Sequence, residues 1–242
     1  MVIKWDELVG KDFESLEKVV AILPVGSVER HGDHLPLGTD TIVPKWIAER
    51  VAEKLGNAVV MPPIYYGSCK ALSKFSGTID VRSDVLKEYV AEVMRSVFKN
   101  GFKLLVIING HGGNTLPLSM AARDVTYETN GTVLVINWWT HVAQDVRKEL
   151  FSAVGHGGDD ETSAVLAVAP ELVKMEYAVP NPKPYLSIKG RLYSKVIDEY
   201  IFTLPLNGDP RLGSADKGKR FLEAVVNEIV DVIKEVLKYI TK

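Results

Sequence analysis

Residues 103–114 read KLLVIINGHGGN, and they carry the fold signal around which the rest of the chain is arranged. Five aliphatic side chains in succession, Leu104, Leu105, Val106, Ile107 and Ile108, leave no polar face, so residues 104–108 predict a strand buried on both sides. A glycine-rich turn follows at once, and a helical pattern over residues 116–127 comes after it. Strand, tight turn and crossover helix together form the unit from which parallel sheets are built. Upstream, Ser83 predicts an N-cap for a helix in which Leu86, Val90, Val93 and Val97 recur at helical spacing, with Gly101 as the left-handed stop. Downstream, residues 131–136 predict another strand.

Further out the same alternation continues. Residues 19–25 predict the first strand. Pro44 stands near the start of a helical pattern with apolar Ile47, Val51 and Leu55, closed by Gly56, and residues 58–61 predict a short second strand. The C-terminus carries an amphipathic helix with Leu222, Val226, Ile229, Ile233, Leu237 and Ile240 on one face. The proline-rich residues 179–208 fit neither period and predict a loop with a short strand or two, at a rim or an oligomer contact. The expectation is an α/β fold in three layers, with a mostly parallel central sheet and helices on both faces, in a single domain spanning 1–242. Its site belongs where the loops leave the C-terminal ends of the strands.

Composition narrows the function. The 242 residues include 29 basic and 31 acidic ones, spread along the chain for a formal charge of -2, so no patch favours nucleic acid or an anionic membrane. A small-molecule partner is expected. Cys69 is the one cysteine, which excludes an internal disulfide and leaves the reducing cytoplasm as the expected location. The opening MVIKWDELVG lacks an apolar signal core, and no apolar run approaches the roughly 20 residues that a spanning helix needs.

The chemistry sits in three segments. The first is GSVERHGDHLPLGTD, residues 26–40, directly after the first strand. Side chains at i and i+2 of an extended segment point the same way, so Glu29 and His31 can face one site, with His34 and Asp40 returning from the turn made by Gly32 and Gly38. A carboxylate such as Asp40 can bridge two cations, which a neutral imidazole cannot. The second is NGHGGN, residues 109–114, which would aim His111 into the same cleft, with Gly112 and Gly113 letting backbone approach a ligand. The third is GHGGDDETS, residues 155–163, which places His156 and Glu161 as ligand and proton-transfer candidates. Its run Asp159, Asp160, Glu161 would repel itself unless a cation or a helix dipole offset the charge.

Each segment has a plainer reading. A histidine near a glycine is usually a surface or hydrogen-bonding residue, an acid run caps helices, a glycine-rich turn also suits phosphate, and Trp138 and Trp139 suit a core or an interface. His141 stands apart as a wall residue. Placement of the three segments after separate strands favours a metal site. Glutamate, histidine and aspartate donors suit zinc, manganese or iron(II) better than calcium.

Four strings, E-x-H-G-x-H-L-P-L-G-T-D from Glu29, N-G-H-G-G-N from Asn109, H-x-G-x-x-E-T-S from His156 and G-D-P-R-L-G-S-A-D-K-G from Gly208, are similar to the creatininase family across residues 19–219. The resemblance implies a homo-oligomeric amidohydrolase with two divalent ions per chain, held by Glu29, His31, His111 and a bridging Asp40. Creatinine-hydrolysing members carry a glutamate where this chain has Gly113, so Glu161 is the expected fifth ligand. The segment GSCKALSKFSGT, residues 67–78, also departs from the serine and histidine that family members often carry there. Among branches, the compact length and NGHGGN look most like the archaeal formamide hydrolases of riboflavin and deazaflavin synthesis. That implies a formylamino-pyrimidine ribonucleotide as substrate, with His156 as catalytic proton carrier and Glu161 beside it. His34, Ser68, Gly112, Gly113, Trp138 and Trp139 are the expected substrate contacts, and Lys70, Arg82 and Arg211 the phosphate candidates. A creatinine or other cyclic-amide hydrolase, and a non-catalytic metal-binding scaffold, are the alternatives.

Overall fold

The computed structural model describes residues 2–181, 183 and 194–241. Among these residues five strands, β1 (Ile3–Lys4), β2 (Val20–Val25), β3 (Ala58–Val60), β4 (Leu104–Asn109) and β5 (Thr132–Asn137), form one parallel sheet in the order β1-β3-β2-β4-β5. The helices are α1 (Gly10–Glu14), α2 (Thr39–Leu55), α3 (Ser83–Lys99), α4 (Thr115–Thr129), α5 (Gln144–Leu150), α6 (Asp159–Val168), α7 (Lys195–Ile201) and α8 (Ala215–Ile240).

Alternation along the central strands creates the two faces. Val20 and Ile22 of β2, with Leu104, Val106 and Ile108 of β4, pack into a core shared with α2, α6 and α8. Ala21, Leu23 and Val25, with Leu105 and Ile107, enter a second core shared with α3 and α4. All residues of β2 and β4 are buried, which is why their sequences are apolar without a period. The expected three-layer α/β architecture is the one observed. In α8 the buried stripe includes Phe221, Leu222, Val225, Val226, Ile229 and Ile233. At about 1.5–3 kcal/mol for each large apolar side chain, packing outweighs the tenths of a kcal/mol that helix propensity contributes per residue.

Several boundaries differ from the sequence reading. The first long helix begins at Thr39, so Pro44 lies inside it and Asp40 in its first turn, not in the preceding loop. Ser83 does not cap α3. The cap is Arg82 without a side-chain bond, and Ser83 Oγ instead pairs with Ser68 Oγ at 2.8 Å. Strand β1 is too short for any pattern to announce. Of residues 179–208, 182 and 184–193 lie outside the described residues, and the described part holds helix α7 and no strand. No described helix is long and apolar enough to cross a membrane.

Strand order places the site. The chain leaves β2 for β3 on one side and then returns past β2 to β4 on the other. Loops after β2 and β4 therefore diverge at the switch point, where a crevice opens at the strands' C-terminal ends.

Candidate metal centre

Strand ends Val25 and Asn109 are register partners, so the first two segments start side by side. Between them wedges the first turn of α2. A Cβ on Gly26 would stand 2.5 Å from the Asp40 carbonyl oxygen, and one on Gly110 would overlap that same oxygen and stand 2.5 Å from Pro44 Cγ. Pro44 has no N–H, so the Asp40 carbonyl lacks its usual helical partner and lies bare against Gly110. The two glycines thus let a helix N-terminus enter the crevice carrying Asp40, whose carboxylate is also favoured by the helix dipole.

Around Asp40 the side chains converge. Its Oδ1 is 2.9 Å from His31 Nε2, and its Oδ2 is 3.0 Å from His111 Nδ1 and accepts from Ser27 Oγ at 2.7 Å. Glu29 Oε1 lies 3.1 Å from His111 Nδ1, 3.5 Å from His156 Nδ1 and 4.0 Å from His31 Nε2. Glu161 Oε2 is 3.6 Å from His31 Nε2 and accepts the Gly157 N–H.

The three imidazoles share one arrangement. Each turns one ring nitrogen to a main-chain carbonyl: His31 Nδ1 to Glu29 at 3.1 Å, His111 Nε2 to Ser68 at 2.8 Å, and His156 Nε2 to Arg30 at 2.7 Å. A carbonyl can only accept, so each of these nitrogens carries the proton. The opposite nitrogen of every ring is left facing the carboxylates, the orientation by which outer contacts set the tautomer of metal-binding histidines. Glu29 points to the same conclusion. It is 1% exposed, yet neither carboxylate oxygen has an aligned hydrogen-bond donor among the described residues. A buried carboxylate in that condition costs several kcal/mol unless a cation joins it. Three groupings could hold one: Glu29, His31 and His156; Glu29, Cys69 and His111; His31, Asp40 and Glu161.

Without a cation the cluster must share protons. Burial opposes charge on His31, but Asp40 overrides it and pushes the ring up to about 10. Burial likewise opposes charge on His111, and Glu29 and Asp40 raise it well above the usual range. Burial raises Glu161 to about 8. Burial and the charge of His31, whose ring centre is 4.1 Å away, lower His156 to about 4. Stability from the raised His31 is fully present below about 6.5 and is lost as pH rises through about 10. Cations require these ligands deprotonated, so zinc uptake at pH 7 is expected to release on the order of three protons per chain, from His31, His111 and Glu161. Calorimetry in buffers of differing ionisation enthalpy measures this release. Uptake without protons would contradict the assignment.

Other expected residues fall elsewhere. Of the acid run, Asp160 pairs with Arg147 at 2.6 Å and Asp159 with Lys217 at 3.4 Å, so side-chain cations rather than a metal offset those two. Glu161 is the one of the three that meets His31. His34 is buried, with Nε2 2.9 Å from Thr162 Oγ1, and is not among the residues lining the cavity that opens over the cluster. Trp138 packs in the core, 5.7 Å from the Phe221 ring, while Trp139 reaches the cavity. His141 bonds back to Asn137, Arg82 pairs with Asp84, and Arg211 pairs with Asp209, all away from the cavity.

Over the cluster opens a cavity of about 860 Å³, walled in part by Ser68, Lys70, Gly112, Gly113, Leu116 and Trp139. Cys69, Arg147, Phe202 and Asn207 also line it, and the sequence reading missed them in this role. Phe202 and Asn207 follow α7 in the stretch read as a loop with a short strand or two. Arg147 could have been sought as the counter-charge of the acid run.

Residues 6–233 match the creatininase family, described as creatinine amidohydrolase. The chain is 32% identical over 221 residues to the mycofactocin precursor peptide peptidase of Mycolicibacterium smegmatis, covering 89% of this chain and 84% of that protein. It is 31% identical to the creatinine amidohydrolase of Pseudomonas putida over 95% of both chains. Identity is 28%, over 91% of both chains, to the 2-amino-5-formylamino-6-ribosylaminopyrimidin-4(3H)-one 5'-monophosphate deformylase of Methanothermobacter thermautotrophicus. A manganese creatininase structure superposes with a TM-score of 0.83 at 28% identity, covering 97% of this chain and 98% of that one. Since the matched residues include the crevice and every side chain that converges on Asp40, this chain belongs to the creatininase family of amidohydrolases, hydrolases of carbon–nitrogen bonds.

Proposed function

We propose that the chain is a formamide hydrolase in which Glu29, His31, Asp40, His111 and Glu161 hold two divalent cations (zinc, iron(II) or manganese). Its substrate is then a formylamino-pyrimidine ribonucleotide, as in riboflavin and deazaflavin synthesis. The observation that carries the metal centre is the common orientation of the imidazoles, each with one N–H on a carbonyl and the other nitrogen on the carboxylates. Bound there, two divalent cations supply Lewis acidity toward an amide carbonyl and hydroxide near neutral pH.

The remaining work falls to the chain. Asp40 presents one oxygen toward His31 and the other toward His111, which is the posture of a bridge. His156, lowered to about 4, is neutral at pH 7. Its Nδ1 is assigned the proton transfer to the departing amine. The main-chain amides of Gly112 and Gly113, residues of the cavity wall, are assigned to stabilise developing oxyanion charge.

For the substrate, support comes from the similarity to the deformylase and from the cavity, whose size accommodates a nucleotide. Gly113 supports it too. A Cβ there would overlap the Ser68 carbonyl and stand 2.6 Å from His111 Nε2, so a glutamate at this position does not fit. Lys70 and Arg147 are the described cations at the wall, and Lys70, 88% exposed, is the one assigned to a phosphate. A second reading, peptide-bond hydrolysis, is favoured by the higher identity to the mycofactocin peptidase. Metal-loaded protein offered the formylated nucleotide, creatinine and a short peptide separates these readings by mass spectrometry. Formate with the free amine is the expected product pair. Turnover of creatinine or peptide alone would overturn the formamide assignment.

A further inference from the structure

Cys69 has no place in the five-ligand set, yet its thiol stands in the same cradle. The residue is 2% exposed, and its Sγ, a Glu29 carboxylate oxygen and a His111 ring nitrogen lie within 4.8 Å of one another. The strap that presents it is firmly held. Ser68 N–H donates to Asn114 Oδ1 at 2.9 Å, Cys69 N–H donates to Asp80 Oδ1 at 2.8 Å, and the Ser68 carbonyl closes over the missing side chain of Gly113 to accept from His111. Sequence and packing thus bring a thiol beside Glu29 and His111.

A buried cysteine ordinarily behaves as a small hydrophobe. This one faces a carboxylate. Its hydrogen-bond contact, Sγ to the Gly67 carbonyl at 3.7 Å, is a weak use of an S–H. Independently, both oxygens of Glu29 are buried without an aligned donor, and one of them belongs to this trio. A cation placed among the three would satisfy the carboxylate, the imidazole nitrogen and the sulfur together. The separate trio of His31, Asp40 and Glu161 then accounts for a second cation, with Asp40 Oδ2 reaching back toward His111.

We infer that Cys69 is a thiolate ligand, sharing one cation with Glu29 and His111 while His31, Asp40 and Glu161 serve the other. The inference rests on the two-cation reading above. On binding, the S–H bond breaks heterolytically, its proton leaves to solvent in addition to those from His31, His111 and Glu161, and a sulfur lone pair forms the bond to the cation, so no oxidant is needed. A soft sulfur donor makes this half of the site prefer zinc, iron(II) or cobalt(II) to magnesium or manganese.

The test uses the full chain, stripped of metal and titrated with cobalt(II) alone, beside the variant Cys69→Ser. The expected result is two cobalt ions per chain with visible bands, one of them accompanied by a near-ultraviolet sulfur-to-cobalt charge-transfer band that the variant loses. X-ray absorption of the zinc-loaded protein is expected to show one sulfur neighbour per chain, half a sulfur per zinc on average, at about 2.3 Å. That measurement needs no variant and decides the matter even if Cys69→Ser does not fold. Two bound ions with neither the band nor the sulfur neighbour would overturn the role of Cys69 and leave the two-cation centre intact. Failure to bind any cation would overturn both.

Discussion

Replacing Asp40 by alanine is expected to strip both cations from the protein and to lower turnover by about 10³-fold or more. Loss of groups that merely orient a metal ligand typically costs 10- to 100-fold, and Asp40 stands closer to the chemistry, with one oxygen toward His31 and the other toward His111. The fold is expected to survive. Asp40 is what holds His31 up at about 10, so without it the buried ring sheds its proton rather than remaining an uncompensated charge. Metal analysis, a melting curve and the formate assay check the three parts separately. Retention of two ions, or a normal rate, would sink the assignment. His156→Ala is the matching control, expected to keep its cations while losing activity.

Gly110→Ala is expected to cost about 3 kcal/mol or more of stability. Its Cβ would overlap the Asp40 carbonyl and meet Pro44, both parts of the main-chain wedge of α2, and neither is the end of a flexible side chain that could swing away. For a chain of this length, that loss lowers the melting temperature by roughly 6–12 °C. Because the wedge carries Asp40, metal affinity should fall with it. Gly112, two residues on, has nothing within 4 Å of its built Cβ, so Gly112→Ala is expected to change stability by less than about 0.5 kcal/mol. Equal melting temperatures for the two variants, measured by circular dichroism, would refute the wedge.

Both outcomes depend on how much the residues announce. The apolar runs of β2 and β4 were legible because strands buried on both faces leave no room for polar side chains. The stripes of α3 and α8 were legible for the complementary reason, one wet face beside one dry one. Pro44 misled, because proline favours the first turn of a helix and here sits a turn further in. Ser83 misled too, since a hydroxyl that can cap a helix can also bond a neighbouring loop, and Ser68 was there to be bonded.

The residues themselves marked which groups converge and the strand ends from which the first two segments emerge, because periodicity and glycine-rich turns are local properties, whereas the third segment follows α5 and not a strand. Partnership was settled by the fold. Asp159 and Asp160 find Lys217 and Arg147, Trp138 turns inward while Trp139 reaches the cavity, and Cys69 meets Glu29 and His111 across loops far apart in the chain. Charge, ring and thiol are visible in a sequence, but what each one faces depends on side-chain direction and on contacts between distant segments, which exist only once the sheet has brought them together.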